Sequence, residues 1–196
     1  INTPKFIIPE EVNIYPTSYF WLGIEHLLGG LDHMLFVFGL LFLVSGISNL
    51  IKTITAFTIA HSITLALSVL EIINVPQAST EAFIALTIIY LALEVGEKQK
   101  YDSTPWLIAF GFGLLHGLGF AGALNEIGFG NDNLFFSLLF FNLGIEAGQL
   151  MILPVFGVLI WMFNNSTIKK ISYRYSSYAI GGLGSFWLLE RILVIV

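Results

Sequence analysis

Residues 23–36 read GIEHLLGGLDHMLF. Two acid–histidine pairs, Glu25-His26 and Asp32-His33, stand on either side of a double glycine, Gly29-Gly30. The residues around them are apolar, so four ionisable side chains sit in a stretch suited to lipid. An ionisable group inside a membrane span is costly and marks function by default. Whether this stretch does lie in a membrane is decided by the rest of the chain.

Of the 196 residues, 56% are hydrophobic and 11% charged. A soluble domain carries about a quarter charged residues. Apolar runs near 20 residues long recur throughout, the length needed to cross a bilayer as a helix. They do not alternate polar with apolar, which excludes the pattern of a transmembrane barrel. The expected fold is therefore all-α, a polytopic bundle of about six spans near residues 18–46, 51–70, 82–96, 105–124, 134–163 and 177–196. The breaks between them hold turn formers and charges, as in SGISN, NVPQAST, GEKQKYDSTP, NEIGFGNDN and NNSTIKKISYRYSS. The first and fifth spans exceed what a bilayer requires, so they are expected to tilt, break or protrude.

The domain organisation is one six-helix transmembrane domain, residues 18–196, after a polar N-terminal segment, residues 1–17. That segment lacks the pattern of a signal peptide. A start at Ile1 fits a processed chain or an excised membrane domain, with an upstream extracytoplasmic domain as a possible partner. Lys52, Lys98, Lys100, Lys169, Lys170 and Arg174 fall in the loops after spans one, three and five, whereas the other two loops hold no lysine or arginine. The positive-inside rule then places both termini on the extracytoplasmic side. Phe20, Trp21 and Trp106 suit interfacial belts.

All four histidines, His26, His33, His61 and His116, fall inside expected spans. At about 1.5 Å per residue, His61, His116 and Glu146 lie roughly 12–18 Å into theirs, near the bilayer centre. His33 lies at similar depth and His26 nearer the outer surface. Thr58, His61, Ser62 and Leu65 share one helical face, and Asn142, Glu146 and Gln149 form a polar stripe on another span. His116 stands beside a ridge of Gly113, Gly117 and Ala121, which allows close helix approach. On a straight helix His26 and His33 are about 10 Å apart, too far for two ligands of one ion at distances near 2 Å. A kink at Gly29-Gly30 would change that. The alternative is two successive stations, one at the mouth and one at depth. Asp32 and His33 project about 100° apart on a regular helix, so Asp32 equally suits a histidine of another span.

Each histidine taken singly also reads as an interhelical hydrogen-bond partner, and Glu25 and Glu94 as solvated residues near span ends. Together, four imidazoles with Asp32 and Glu146 suit a divalent Zn, Ni, Co or Fe ion. Zero cysteines and three methionines argue against disulfides, thiolate sites and Cu(I). The net charge of −5 resides mostly in loops, and no basic patch suggests nucleic acid. A proton relay is also chemically open to these groups.

The stretches GIEHLLGGLDHMLFVFGLLFL, TAFTIAHSITLAL, IALTIIYLALE, FGFGLLHGLGFAGAL and FFNLGIEAGQL run in order from about residue 20 to 150. Together they resemble the successive motifs of the HupE/UreJ-like membrane proteins, in the branch that often follows an extracytoplasmic domain. The resemblance implies a multi-pass protein of the bacterial cytoplasmic (inner) membrane associated with nickel or cobalt uptake. It carries over His26, Asp32 and His33 from the first motif, His61 from the second, His116 from the fourth and Glu146 from the fifth. Ser62, Asn142 and Gln149 are expected to support them as a polar shell. The leading expectation is a divalent-metal (Ni or Co) permease or metal-binding transporter in contact with membrane lipids, with a homo-oligomer among its expected partners. The alternative is an intramembrane zinc-dependent hydrolase acting on a lipid or peptide bond. There His33, His61 and His116 would hold the metal and Asp32 or Glu146 would serve as base. A third reading is a structural or sensory module.

Overall fold

The computed structural model describes residues 16–97, 104–119, 134–162 and 166–195. Among these residues the chain is all helix: α1 Pro16–Gly29, α2 Leu31–Leu43, α3 Ile47–Val69, α4 Gln77–Glu97, α5 Pro105–Leu118, α6 Leu134–Met162 and α7 Ser166–Ile195. Backbone polar groups have no water to bond with in hydrocarbon, so a span must satisfy them internally, as helices do. Four of the helices are long and apolar enough to cross a membrane. The pair α1–α2 makes a fifth span if counted as one, and α5 is a shorter apolar helix. The protein is thus a multi-pass membrane-helix bundle. The polar N-terminal segment up to residue 15, Lys98, Lys100 and Ala121 lie outside the described residues.

The first expected span, 18–46, is broken. Its two halves, Thr17–Gly29 and Leu31–Leu43, meet at 74°. Gly30 separates them with φ −85° and ψ 98°, an extended conformation open to any residue. Glycine is needed there for space instead. A Cβ on Gly30 would lie 2.9 Å from both Asp32 Oδ1 and His33 Nδ1, and 3.0 Å from the His26 carbonyl oxygen. The fifth span, by contrast, stays one helix from Leu134 to Met162 with Pro154 inside it.

Three helix pairs carry most of the packing: α3 with α5, α4 with α7, and α1 with α6. The α1–α6 contact runs through Gly23 and Gly144. A Cβ on Gly23 would collide with the Phe141 carbonyl oxygen, and one on Gly144 with that of Phe20. Small residues permit this approach where apolar lipid supplies no hydrophobic drive between helices. Tyr19, Leu27, Leu65, Phe141 and Ile145 fill the space around it. A second cluster, including Phe36, Val37, Leu40, Ile54 and Phe57, joins α2 to α3. The opposite faces are apolar and exposed, as at Ile59, Ile63, Leu143, Leu150, Phe186 and Leu193, and present the bundle to lipid. Trp21 is exposed, and the Lys52 ammonium lies 4.9 Å from the Trp106 ring centroid, a placement suited to an interface.

This packing predicts a selective response to one methyl group. Gly144→Ala should destabilise the bundle by about 1–3 kcal/mol through overpacking against backbone that cannot retreat. Gly157→Ala, on the same helix with nothing within 4 Å of the added carbon, should not. Thermal unfolding of both variants in detergent checks this; equal melting temperatures would contradict it.

Candidate metal centre

The break at Gly30 turns the opening motif into a cluster. His26 at the end of α1 and His33 in the first turn of α2 have ring centroids 4.8 Å apart, not the separation of a straight helix. The His61 ring of α3 lies 6.0 Å from that of His33 and 6.3 Å from that of His26. The His116 ring of α5 lies 5.1 Å from that of His33. His26 therefore packs against the deeper imidazoles and does not stand apart at the mouth. His33 is central: it belongs to two triads of potential ligands, His26–His33–His61 and Asp32–His33–His116, each with ligand atoms within 4.8 Å of one another. Three ligand atoms about 2.1 Å from one ion in tetrahedral geometry stand about 3.4 Å apart. Closing either triad on an ion thus needs the side chains to draw together by an ångström or so.

Asp32 serves both its neighbour and another span. Its Oδ1 lies 3.1 Å from His33 Nδ1, and its Oδ2 lies 4.0 Å from His116 Nδ1. The small-residue ridge on α5 brings His116 into place. A Cβ on Gly113 would strike the Phe57 carbonyl oxygen, and one on Gly117 that of His61. The ridge packs on α3, while the His116 side chain reaches Thr87 of α4 and the Asp32 carboxylate.

The surroundings determine which ring nitrogens carry protons. The Asn142 amide donates to the Leu138 carbonyl at 2.8 Å, which leaves its Oδ1 as the acceptor facing His61 Nδ1 at 3.1 Å. We therefore assign the His61 proton to Nδ1. The Thr87 hydroxyl donates to the Ile84 carbonyl at 2.7 Å, so its oxygen accepts from His116 Nε2 at 3.2 Å. An ionised carboxylate only accepts, so His33 Nδ1 donates to Asp32. The bare nitrogens are then His33 Nε2, His61 Nε2 and His116 Nδ1. These three atoms are buried and have no hydrogen-bond partner among the described residues. A buried polar atom without a partner is expensive. A ligating histidine typically donates its other N–H to a carboxylate, a carbonyl or a similar acceptor, which fixes ring and tautomer. All three rings meet that description, and His33, common to both triads, can share a divalent ion with His26 and His61 or with Asp32 and His116.

The remaining expected residues fall around this centre. Asn142 is its direct support. Gln149 accepts from the Thr58 hydroxyl at 3.1 Å, one turn of α3 from His61. Glu146 belongs to neither triad; its Oε1 accepts from the Thr55 hydroxyl at 2.6 Å. Ser62 turns back to the Thr58 carbonyl of its own helix at 2.7 Å. Glu25 is exposed. The residues that sequence reasoning missed are Thr55 and Thr87. Thr87 lies in IALTIIYLALE, where one buried hydroxyl in an apolar run was the available signal.

Removing a support should weaken metal binding without removing a ligand. Thr87→Val leaves His116 Nε2–H without its acceptor and should cost about 10–100-fold in affinity for Co(II). Thr53→Val is the control, since that equally buried hydroxyl bonds only to the Asn49 carbonyl of its own helix. Equilibrium dialysis of both variants checks the difference; equal affinities would refute the assigned tautomer.

Among known proteins, no curated protein and no solved structure shows a significant match to this chain. A family profile does, that of the HupE / UreJ protein family, over residues 2–191. With that match covering nearly the whole chain, the chain belongs to the HupE / UreJ family.

Proposed function

We propose that this protein is a six-span divalent-metal permease of the bacterial cytoplasmic membrane, with nickel or cobalt as cargo. The observation that carries the reading is a buried cluster of imidazoles around one carboxylate: His33 and His116 approach Asp32, and His33 Nε2, His61 Nε2 and His116 Nδ1 have no hydrogen-bond partner among the described residues. Imidazole and carboxylate donors suit a divalent first-row ion. The imidazoles replace part of its hydration shell, and Asp32 offsets part of its charge. In this reading residues 18–196 form one transmembrane domain, residues 1–17 lead into it, and both termini are extracytoplasmic by the lysine and arginine distribution.

Two features beside the cluster favour passage over permanent retention. Under that topology α3 runs outward from the cytoplasmic side, which places Thr55 about 9 Å below His61 along the helix. Between them Thr58 pairs with Gln149 and Thr55 with Glu146, so polar rungs continue from the cluster towards the cytoplasm. Gln149 Nε2 is buried with no hydrogen-bond partner among the described residues, a donor free to rearrange. Under the same topology the Phe36 and Phe57 rings, with centroids 4.7 Å apart, follow His33 and precede His61 by about one helical turn on the cytoplasmic side. The hydrolase alternative would need a base beside the metal. Glu146 is engaged by Thr55 outside both triads, which leaves Asp32 for that role.

Purified protein in sealed vesicles should carry Ni(II) or Co(II) down an imposed gradient, read by a trapped metal-sensitive dye. His61→Ala, which removes a ligand, and Asp32→Asn, which removes compensating charge, should each slow the flux by about tenfold or more. Flux equal to that of protein-free vesicles, together with one zinc ion retained through chelation, would replace transport with the hydrolase. Absence of any bound metal would leave only a structural or sensory role.

A further inference from the structure

One cavity of about 310 Å³ lies where the α1–α2 break meets α4 and α7. Its lining includes Gly29, Gly30 and Asp32 beside the cluster, and Glu81 and Arg191 near the start of α4 and the end of α7. The Asp32 side chain is 27% exposed, whereas those of His33 and His116 are 4% and 0%. The cavity therefore reaches the cluster through its carboxylate. At the other end the Arg191 guanidinium pairs with Glu81 Oε2, while Gln77 Nε2 donates to Glu81 Oε1 at 2.9 Å. Glu190 stands 3.8 Å from the same guanidinium. Ile84 and Ile88 supply an apolar wall that Trp187 packs against.

We propose that this cavity is the route by which a hydrated divalent cation reaches the histidine cluster, with Glu81 receiving the ion at the mouth and Arg191 as the counter-ion it displaces. The proposal rests on the permease reading of the cluster and adds the path and the residues that control it. Size allows it: six water molecules at about 30 Å³ each need about 180 Å³, and the cavity offers about 310 Å³. Charge favours it: carboxylates stand at both ends, and a single guanidinium neutralises the outer one. Glu81 is near the start of α4 and Arg191 near the end of α7, the two helix ends that the positive-inside reading places outside. An arriving cation repels Arg191 and attracts Glu81, so the ion itself loosens the pair. The ion then exchanges waters for Asp32 and the imidazoles at the inner end.

The test uses the full chain in detergent with Co(II) as the probe, following its visible absorption as it loads. Glu81→Gln should slow loading about tenfold, and Arg191→Gln should hasten it, because electrostatic attraction at a cleft acts on arrival rate. Both should reach the same final cobalt content. A merely structural ion pair would make the two variants behave alike, since each breaks the same contact; that result overturns the proposal. The chain has no cysteine, so Gly29→Cys supplies a single thiol on the cavity wall, at a position where an added Cβ meets nothing within 4 Å. Attaching a bulky maleimide there should remove most of the loading rate and leave the final content unchanged. An unaltered rate after labelling, or a thiol that water-soluble maleimide does not reach, rejects the route while leaving the metal centre in place. If the unmodified protein takes up no Co(II), the permease reading fails first and the route with it.

Discussion

A carboxylate held among imidazoles inside an apolar bundle is the constraint from which the rest follows. Placing one aspartate at mid-membrane costs about 2.5–3.5 kcal/mol on insertion scales. A hydrogen bond to a charged acceptor contributes about 1.5–3 kcal/mol, so the contact with His33 offsets most of that cost. His116 approaches the other oxygen at 4.0 Å. The contact with His33 is local to α2, but a straight first span would hold His26 about 10 Å from His33 instead of 4.8 Å between ring centroids. The 74° break at Gly30 turns Asp32 and His33 inward, and the absence of a side chain at Gly30 leaves them room. The close approach of α5 to α3 through Gly113 and Gly117 then delivers His116.

Much of this was readable in the residues. The apolar runs indicated the bundle, and Gly29-Gly30 indicated where the first run could break. The histidines and Asp32 stood out because ionisable groups are rare in hydrocarbon. What one sequence does not contain is the register between helices. Periodicity places Asn142, Glu146 and Gln149 on one stripe, but it does not say which of them meets His61. Asn142 does, while Glu146 meets Thr55. Thr87 escaped notice because a threonine in an apolar helix usually bonds back to its own backbone. Thr87 does so and also receives the His116 N–H. Depth counted along a continuous helix places His26 at the mouth; the break at Gly30 instead brings its ring to 4.8 Å from that of His33.

In the proposed permease the same geometry links binding to movement. The cluster touches a cavity through Asp32, and the Phe36 and Phe57 rings pack against its imidazoles. The imidazoles are oriented by neighbours on α2, α4 and α6, which means that motion between helices changes the donor set directly. A site assembled from five helices is held by packing at several interfaces and is sensitive to each. That is an arrangement suited to a bound ion that must also leave.

The central proposal is that the buried cluster around His33 binds a divalent ion through histidine nitrogens that their neighbours leave bare. X-ray absorption at the cobalt edge, on purified protein loaded with one equivalent of Co(II), tests it most directly. The account predicts a first shell of nitrogen and oxygen only, with the outer-shell scattering of about three imidazole rings. A spectrum of a hydrated ion with no imidazole scattering would contradict it.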